Sequence, residues 1–330
     1  MANFFSINNV GYSVKHGIIV FLITLLMSFN VQATVVYTLV TVGDAGNSSD
    51  STTDLGGVSY IYKIGKYPVT IAQYTEFLNA VAQTDTYSLY STNMAAVTNV
   101  AGISRSGTSG SYIYSVMTND GYSGNRPITS VSWFSAARFA NWMANNQPTG
   151  AQDNTTTEDG AYPLSGATSG LTVSKNLVNP NTEASPTFYL PSDDEWYKAA
   201  YYNGGGTYYL FATQSNTVPG NAIGSSSNQA NYISNQTGYC TTQSFATSLS
   251  VNYLTDVGIF TGSPSHYGTF DQTGNVWEWN ASNNDAQQYA TLRGGAYTST
   301  VPPYLLASYY LSTLPSESAV NLGFRLAAAA

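Results

Sequence analysis

Three stretches of the chain have the apolar spacing of amphipathic helices, and a capping residue precedes each of them. Thr70 and Gln73 fit a capping box, in which two side chains satisfy the free amides of the first helical turn, and Ser192 and Glu195 fit another. The pattern predicts helices that begin after Thr70, Ser132 and Ser192. Their expected inward-facing residues are Tyr74, Phe77, Leu78, Val81, Trp133, Ala136, Ala137, Ala140, Met143, Trp196, Ala199 and Ala200.

Polar residues within these helices are expected to face away from the core or to cap a helix end. In the second helix, Arg138 and Asn141 fall between the apolar positions. In the third, Asp193, Asp194 and Glu195 occupy the first turn, where the helix dipole favours negative charge, so capping is preferred over acid–base chemistry. Short β-like runs are predicted at 35–42, 60–64, 188–190 and 291–293, and long stretches rich in Gly, Ser, Thr and Asn separate them.

The N-terminal segment has the pattern of an export signal. Lys15 and His16 precede an apolar run from Ile18 to Phe29, and small residues at Val31 and Ala33 suit a cleavage site. The run is short for a transmembrane helix, although an uncleaved anchor is the alternative. We expect an exported protein without a stable membrane span after cleavage. The expected division is a signal peptide at 1–33, an N-terminal strand and lead-in at 34–57, one domain at 58–326 and a short tail at 327–330.

Composition narrows the choice of partners. Only 8% of the residues are charged, the formal net charge is −8 and the pI is about 4.5. A nucleic-acid partner would need a basic face, so that class is excluded. Cys240 is the sole cysteine, which excludes an internal disulfide, and no neighbour in sequence would lower the pKa of its thiol. It is expected to be a free thiol in a loop or the core, with pairing to another chain left open.

Six motifs in fixed order carry a family resemblance. Three are helix starts, at 64–70, 126–133 and 190–196, and three follow in the C-terminal part: Asp271–Trp279, Leu292–Ala296 and Asn321–Arg325. Together they resemble the formylglycine-generating enzyme, or sulfatase-modifying factor, family over roughly residues 58–326. The resemblance implies an α+β protein of the C-type-lectin-like fold, with little regular secondary structure and long ordered loops. Trp277 and Trp279 are expected in its core.

The resemblance does not carry the family's chemistry with it. In active members, two cysteines after the Arg-Gly-Gly turn bind copper and attack a cysteine of the sulfatase substrate. Their positions fall here on Ser299 and Tyr304, which cannot supply the thiolates that copper(I) selects. No copper and no catalytic residue are expected, and the chain is interpreted as a non-catalytic member. The alternatives are an oxidase with non-standard catalytic residues and a structural surface component.

A calcium site is the family feature that the resemblance retains. Asp271, Gly274, Val276 and Glu278 match positions that hold Ca²⁺ in relatives, with two carboxylates and two backbone carbonyls as hard oxygen ligands. Alternatively, Glu278 is a buried acceptor for loop amides and Asp271 caps a turn. The sequence leaves both interpretations open.

The candidate binding surface is the segment Tyr297–Ser318, which lies between the last two motifs. Tyrosine together with serine is typical of adaptable binding surfaces, because the rings add contact area at low entropy cost. The expected ligand is a protein or a glycan. Alternatively, the leucines of this segment place it partly in the core, and the tyrosines cover them. The candidate ligand-binding residues are Tyr297, Ser299, Tyr304, Tyr309, Tyr310 and Ser312.

Overall fold

The helices begin where their caps predict. A computed structural model describes residues 34–281, 289–300 and 303–330, so the predicted signal peptide at 1–33 lies outside the described residues. Thr70 and Ser192 each form the predicted capping box, and the Ser132 side chain accepts a hydrogen bond from the amide of Ser135. None of the helices in this part of the chain is long and apolar enough to cross a membrane. The helices are α1 (Ile71–Val81), α2 (Asn93–Ala96), α3 (Trp133–Ala144) and α4 (Asp193–Tyr201), with a 3-10 turn at Ser123–Asn125.

Helix α3 is buried on all sides, so the prediction for its polar face was wrong. Arg138 and Asn141 were expected to face away from the core, yet both are inaccessible to solvent. The long segment after α3 folds back over this face and supplies their partners. The Arg138 guanidinium donates to both carboxylate oxygens of Glu158 at 2.7 Å, and Asn141 donates to the carbonyls of Thr157 and Tyr162. Hydrogen bonds from Arg138 and Asn141 therefore join α3 to the segment that covers it.

Short strands form four small sheets in the described part of the chain. The strands are β1 (Leu39–Val42), β2 (Tyr62–Gly65), β3 (Ile103–Ser106), β4 (Ile113–Val116), β5 (Ile233–Ser234), β6 (Gly238–Tyr239), β7 (Trp277–Trp279), β8 (Ala290–Arg293), β9 (Leu311–Thr313), β10 (Leu322–Phe324) and β11 (Ala327–Ala329). The first sheet has the order β1-β2-β11 and the second β10-β7-β8-β9, while β3-β4 and β5-β6 are two-stranded. In the second sheet, β10 runs parallel to β7, and β9 lies at an edge.

The last residues of the chain are part of the fold. Residues 327–330 were expected to be a short tail, but Ala327–Ala329 form β11, which pairs antiparallel with β2. The predicted strand at 188–190 is replaced by an isolated bridge between Tyr189 and Ala327. Alanine has little strand preference of its own, so pairing with β2 decides this structure.

An aromatic cluster joins α1, α3 and β10 into the main core. The ring of Phe139 lies 5.2 Å from that of Phe77, 5.4 Å from that of Phe324 and 5.7 Å from that of Trp142. Such edge-to-face and tilted pairs each add about 0.5–1.5 kcal/mol beyond the burial of their area. Trp277 and Trp279 of β7 are buried in the same core, as predicted. This core holds the second sheet, which carries the candidate site.

Candidate ligand-binding site

A buried ion pair between Arg325 and Glu278 holds β7 in the sheet that carries the candidate site. The Arg325 guanidinium donates to Glu278 Oε2 from Nε at 2.6 Å and to Oε1 from Nη2 at 2.7 Å, and both side chains are fully buried. Trp196 Nε1 donates to the same Oε2 at 2.7 Å. The carboxylate of Glu278 raises the pKa of Arg325 despite the opposing effect of burial, so the guanidinium stays charged. Three sequence motifs therefore meet at one carboxylate.

A second buried pair holds the turn that precedes the candidate surface. Arg293 donates to Asp193 Oδ1 from Nε at 2.5 Å and to Oδ2 from Nη2 at 2.7 Å. Its Nη1 donates to the carbonyls of Ala307 and Tyr309, which lie in the candidate segment. The guanidinium thus fixes the position of that segment relative to α4. Asp193 was expected to cap α4, but the capping carboxylate is Glu195, and Asp193 serves this ion pair.

The turn after Arg293 requires glycine. Gly294 and Gly295 have φ values of +95° and +79°, a region that L-residues rarely adopt. A Cβ at Gly295 would lie 2.4 Å from Leu305 Cδ2. Ser299 Oγ then closes the turn, because it accepts a hydrogen bond of 2.9 Å from the amide of Ala296. Ser299 is buried and its hydroxyl serves the backbone, so its predicted role as a ligand-binding residue stays an untested prediction.

Tyr297 also belongs to the interior. Its ring lies parallel to that of Tyr253 at 6.4 Å, and Tyr253 stacks on Tyr239 at 4.3 Å. Burial raises the pKa of Tyr297 to about 12. Tyr253 therefore covers the ring of Tyr297, and the prediction that Tyr297 contacts a ligand stays untested.

The remaining four predicted residues are each at least partly accessible to solvent. Tyr304 and Tyr310 are 38% and 55% exposed, Tyr309 is half-buried, and Ser312 is exposed on the edge strand β9. Tyr309 meets Tyr304 edge-to-face at 5.0 Å and packs against Trp277 at 6.0 Å. The Tyr310 ring lies 5.4 Å from the guanidinium carbon of Arg293. We call Tyr304, Tyr309, Tyr310 and Ser312 the Tyr-rich face.

The surroundings of Glu278 do not suit its predicted role as a calcium ligand. Both of its oxygens are taken by Arg325, and a divalent cation there would lie against the guanidinium. Glu278 is a buried acceptor, although its donors are Arg325 and Trp196 rather than loop amides. Across residues 34–281, 289–300 and 303–330, no group of three or more His, Cys, Asp or Glu side chains is placed to hold a metal ion. Calcium binding stays an untested prediction.

The other members of the predicted calcium set have structural partners. Asp271 Oδ2 accepts a hydrogen bond of 2.6 Å from the amide of Gly258, and burial raises the pKa of Asp271 to about 6. Gly274 has φ +83°, and a Cβ there would lie 2.2 Å from the Asn231 carbonyl oxygen. Val276 is buried. These contacts hold the loop before β7 against its neighbours.

Cys240 is a buried free thiol. It is 3% exposed, and burial raises its pKa to about 12. A thiolate, rather than a thiol, is the nucleophile and metal ligand, so the folded chain holds this group in its inert form.

Sequence reasoning missed the buried ion pairs, although a signal for them existed. Charged residues are scarce in this chain, and Arg293 and Arg325 both stand within apolar and glycine-rich motifs. A buried arginine needs a carboxylate partner, because an unpaired buried charge is strongly destabilising. The other motifs contain five acids, among them Asp193 and Glu278, and these were the partners to test.

Comparison with known proteins identifies the architecture. A family model, the sulfatase-modifying factor enzyme 1-like domain, matches residues 53–330. Among solved structures, the variable protein 1 of Treponema denticola is similar with 16% identity and a TM-score of 0.52, covering 89% of this chain and 95% of that one. CarF matches at 17% identity and a TM-score of 0.49, covering 89% and 98%. PvdO from Pseudomonas aeruginosa matches at 14% and 0.47, covering 88% and 94%. No curated protein sequence matches.

Proposed function

Since the chain belongs to the sulfatase-modifying factor family, we propose that it is an exported, non-catalytic member that binds a protein or glycan through the Tyr-rich face. One observation carries the proposal. Of the two positions where active members have copper-binding cysteines, Ser299 is buried and closes a turn, while Tyr304 opens to solvent beside other tyrosines. At the second cysteine position of active members, this chain therefore has an exposed tyrosine in place of a thiol.

The contacts of Ser299 support the non-catalytic part. Its hydroxyl accepts from Ala296, its amide donates to the Ala296 carbonyl, and its own carbonyl accepts from the amide of Ile233. A residue with these fixed bonds is part of the scaffold. The chain's one thiol, Cys240, lies outside the segment and is held protonated by its burial.

The composition and support of the Tyr-rich face argue for binding. Tyrosine rings offer apolar area and a polar tip, and they lose few rotamers on binding. Arg293 lies 5.4 Å from the Tyr310 ring and Trp277 packs against Tyr309, and these contacts order the two side chains before a ligand arrives. The edge strand β9 beside it also offers backbone groups to an extended segment of a protein partner. Export rests on the apolar run Ile18–Phe29 alone.

The experiment compares the wild-type chain with Tyr304→Ser and Tyr310→Ser together. Both chains are applied to an array of glycans and to a displayed peptide library. We expect the wild type to retain a ligand and the double variant to lose it, because two exposed rings are removed without disturbing the core. Tyr122→Ser is the matched control, since Tyr122 is 56% exposed in a different loop. Equal binding by all three chains would refute the role of this face.

The rival function, an oxidase with non-standard catalytic residues, has a separate test. Copper is added to the purified chain, and O₂ consumption is followed with a thiol-containing peptide. Copper binding with O₂ uptake would overturn the non-catalytic proposal. Self-association without any ligand would instead favour the structural surface component.

A further inference from the structure

A small pocket at the start of α3 has walls made largely of hydroxyl groups. Its volume is about 190 Å³. Four separate parts of the chain line it: residues 87–91, residues 130–138 at the start of α3, Thr168, and residues 316–318. None of the described residues that line it is acidic. The serines that line it include Ser88, Ser130, Ser132, Ser135, Ser316 and Ser318.

Arg138 brings a cationic group to this pocket. Its side chain is almost fully buried, and its Nε and Nη2 donate to Glu158, with Nη2 also donating to the carbonyl of Ala167. Among the described residues, these hydrogen bonds of Arg138 do not involve Nη1. The Tyr87 ring, 4.4 Å from the guanidinium carbon, lines the same pocket. A guanidinium nitrogen without an acceptor favours a ligand that can accept hydrogen bonds.

Ser130 gives a second and independent indication of a ligand. It lines the pocket and is 2% exposed, yet its Oγ has no hydrogen-bond partner among the described residues. A buried hydroxyl without a partner costs free energy, so native structures seldom keep one without reason. A ligand oxygen in the pocket would satisfy it.

The position at a helix N-terminus adds a favourable field. Helix α3 has twelve residues and begins directly after Ser132. The partial positive charge at the N-terminus of a helix attracts anions. Glu158 offsets the charge of Arg138, so we attribute the attraction mainly to the helix end and to the hydroxyl donors.

We propose that this pocket binds a small oxyanion, such as phosphate or sulfate, either free or as a group on a larger molecule. The donors around it match the acceptor oxygens of such a group, and its volume limits the ligand to a compact one. The absence of acidic residues among the described lining disfavours a divalent cation. The site shares no residue with the Tyr-rich face, so the two proposals stand or fall separately.

The test is thermal unfolding of the full-length chain in sodium phosphate, sulfate or acetate, with sodium chloride at matched ionic strength as the reference. We expect a saturable rise of Tm with phosphate or sulfate beyond that in chloride, because a ligand that binds only the folded state stabilises it. Acetate tests whether the pocket prefers a carboxylate group. A rise of Tm in acetate as large as that in phosphate assigns the site to carboxylate groups and overturns its assignment to phosphate or sulfate. The absence of a saturable response to any of the three oxyanions overturns the proposal.

Two variants connect the response to the pocket. Ser130→Ala should weaken the apparent affinity for phosphate by about tenfold, the effect of one lost hydrogen bond to a charged group. Thr172→Val is the matched control, since Thr172 Oγ1 is also buried without a partner but lies outside the lining. Should Ser130→Ala fail to fold, Ser316→Ala at the exposed rim takes its place. Equal phosphate responses in the wild type and the pocket variant would refute the assignment.

Discussion

Asp193 and Arg293 form a buried pair with hydrogen bonds of 2.5 and 2.7 Å, and this pair connects the first turn of α4 to the turn that carries the Tyr-rich face. The two residues are a hundred positions apart in sequence. Arg293 also donates to the carbonyls of Ala307 and Tyr309, so one guanidinium binds both Asp193 and the backbone of the candidate segment. The buried contacts of Arg293 therefore set the orientation of the Tyr-rich face.

Asp193→Asn should lower the free energy of unfolding by about 3 kcal/mol, because it leaves the buried Arg293 without its counter-charge. Urea denaturation measures the change. Asp194→Asn is the matched control: the adjacent acid loses the same charge from the first turn of α4, but its Oδ1 can still accept from the amide of Gly56. We expect the control to cost less than about 1 kcal/mol. Equal losses in the two variants would show that Arg293 does not depend on Asp193.

Gly295→Ala should destabilise the chain more than Gly268→Ala. Both glycines have a positive φ, so both variants carry the backbone cost of about 1–2 kcal/mol. A Cβ at Gly268 meets nothing within 4 Å, whereas a Cβ at Gly295 lies 2.4 Å from Leu305 Cδ2, which adds about 1–3 kcal/mol of overpacking. Thermal unfolding of both variants gives the difference. A difference near zero would mean that the turn and Leu305 move apart at no cost.

Cys240 should resist alkylation in the folded chain. Its pKa is raised from 9.0 to about 12, so at pH 8 its thiolate fraction is lower by about a thousandfold, a factor of ten for each of three pKa units. The rate of reaction with iodoacetamide is measured with and without denaturant. We expect slow labelling of the folded chain and fast labelling of the unfolded one. Rapid labelling without denaturant would show that the thiol is accessible.

Removal of divalent cations should leave the stability unchanged. The Glu278 carboxylate is already neutralised by Arg325, so calcium gains no ligand from it. Thermal unfolding is recorded in EDTA and in millimolar calcium, and the two curves are expected to coincide. A calcium-dependent rise of Tm that disappears in Asp271→Asn would restore the predicted metal site.

Local rules account for what the sequence predicted well. The helices after Thr70, Ser132 and Ser192 were predicted because a cap and an apolar spacing act within one or two turns. The family fold followed from six short motifs, and the match over residues 53–330 confirms it. Neither prediction required knowledge of distant contacts.

Contacts between residues distant in sequence decide the burial that the sequence did not predict. Arg138 and Asn141 were placed outside because no pattern in residues 145–187 shows that this segment covers α3. Tyr297 and Ser299 were assigned to the binding surface by composition, which cannot distinguish a ring stacked on Tyr253 from one exposed to solvent. In a fold with so few regular elements, the burial of a side chain depends on which loop packs over it.

The pairing of β11 with β2 also bears on the order of folding. Ala327–Ala329 lie some 260 residues away from their partner strand along the chain, as the Gly65–Arg325 hydrogen bond across the same region illustrates. Closing so long a loop makes this sheet a late, slow step of folding. Until then, one edge of β2 stays unpaired and open to strands of other chains, so high expression should favour aggregation of partly folded molecules.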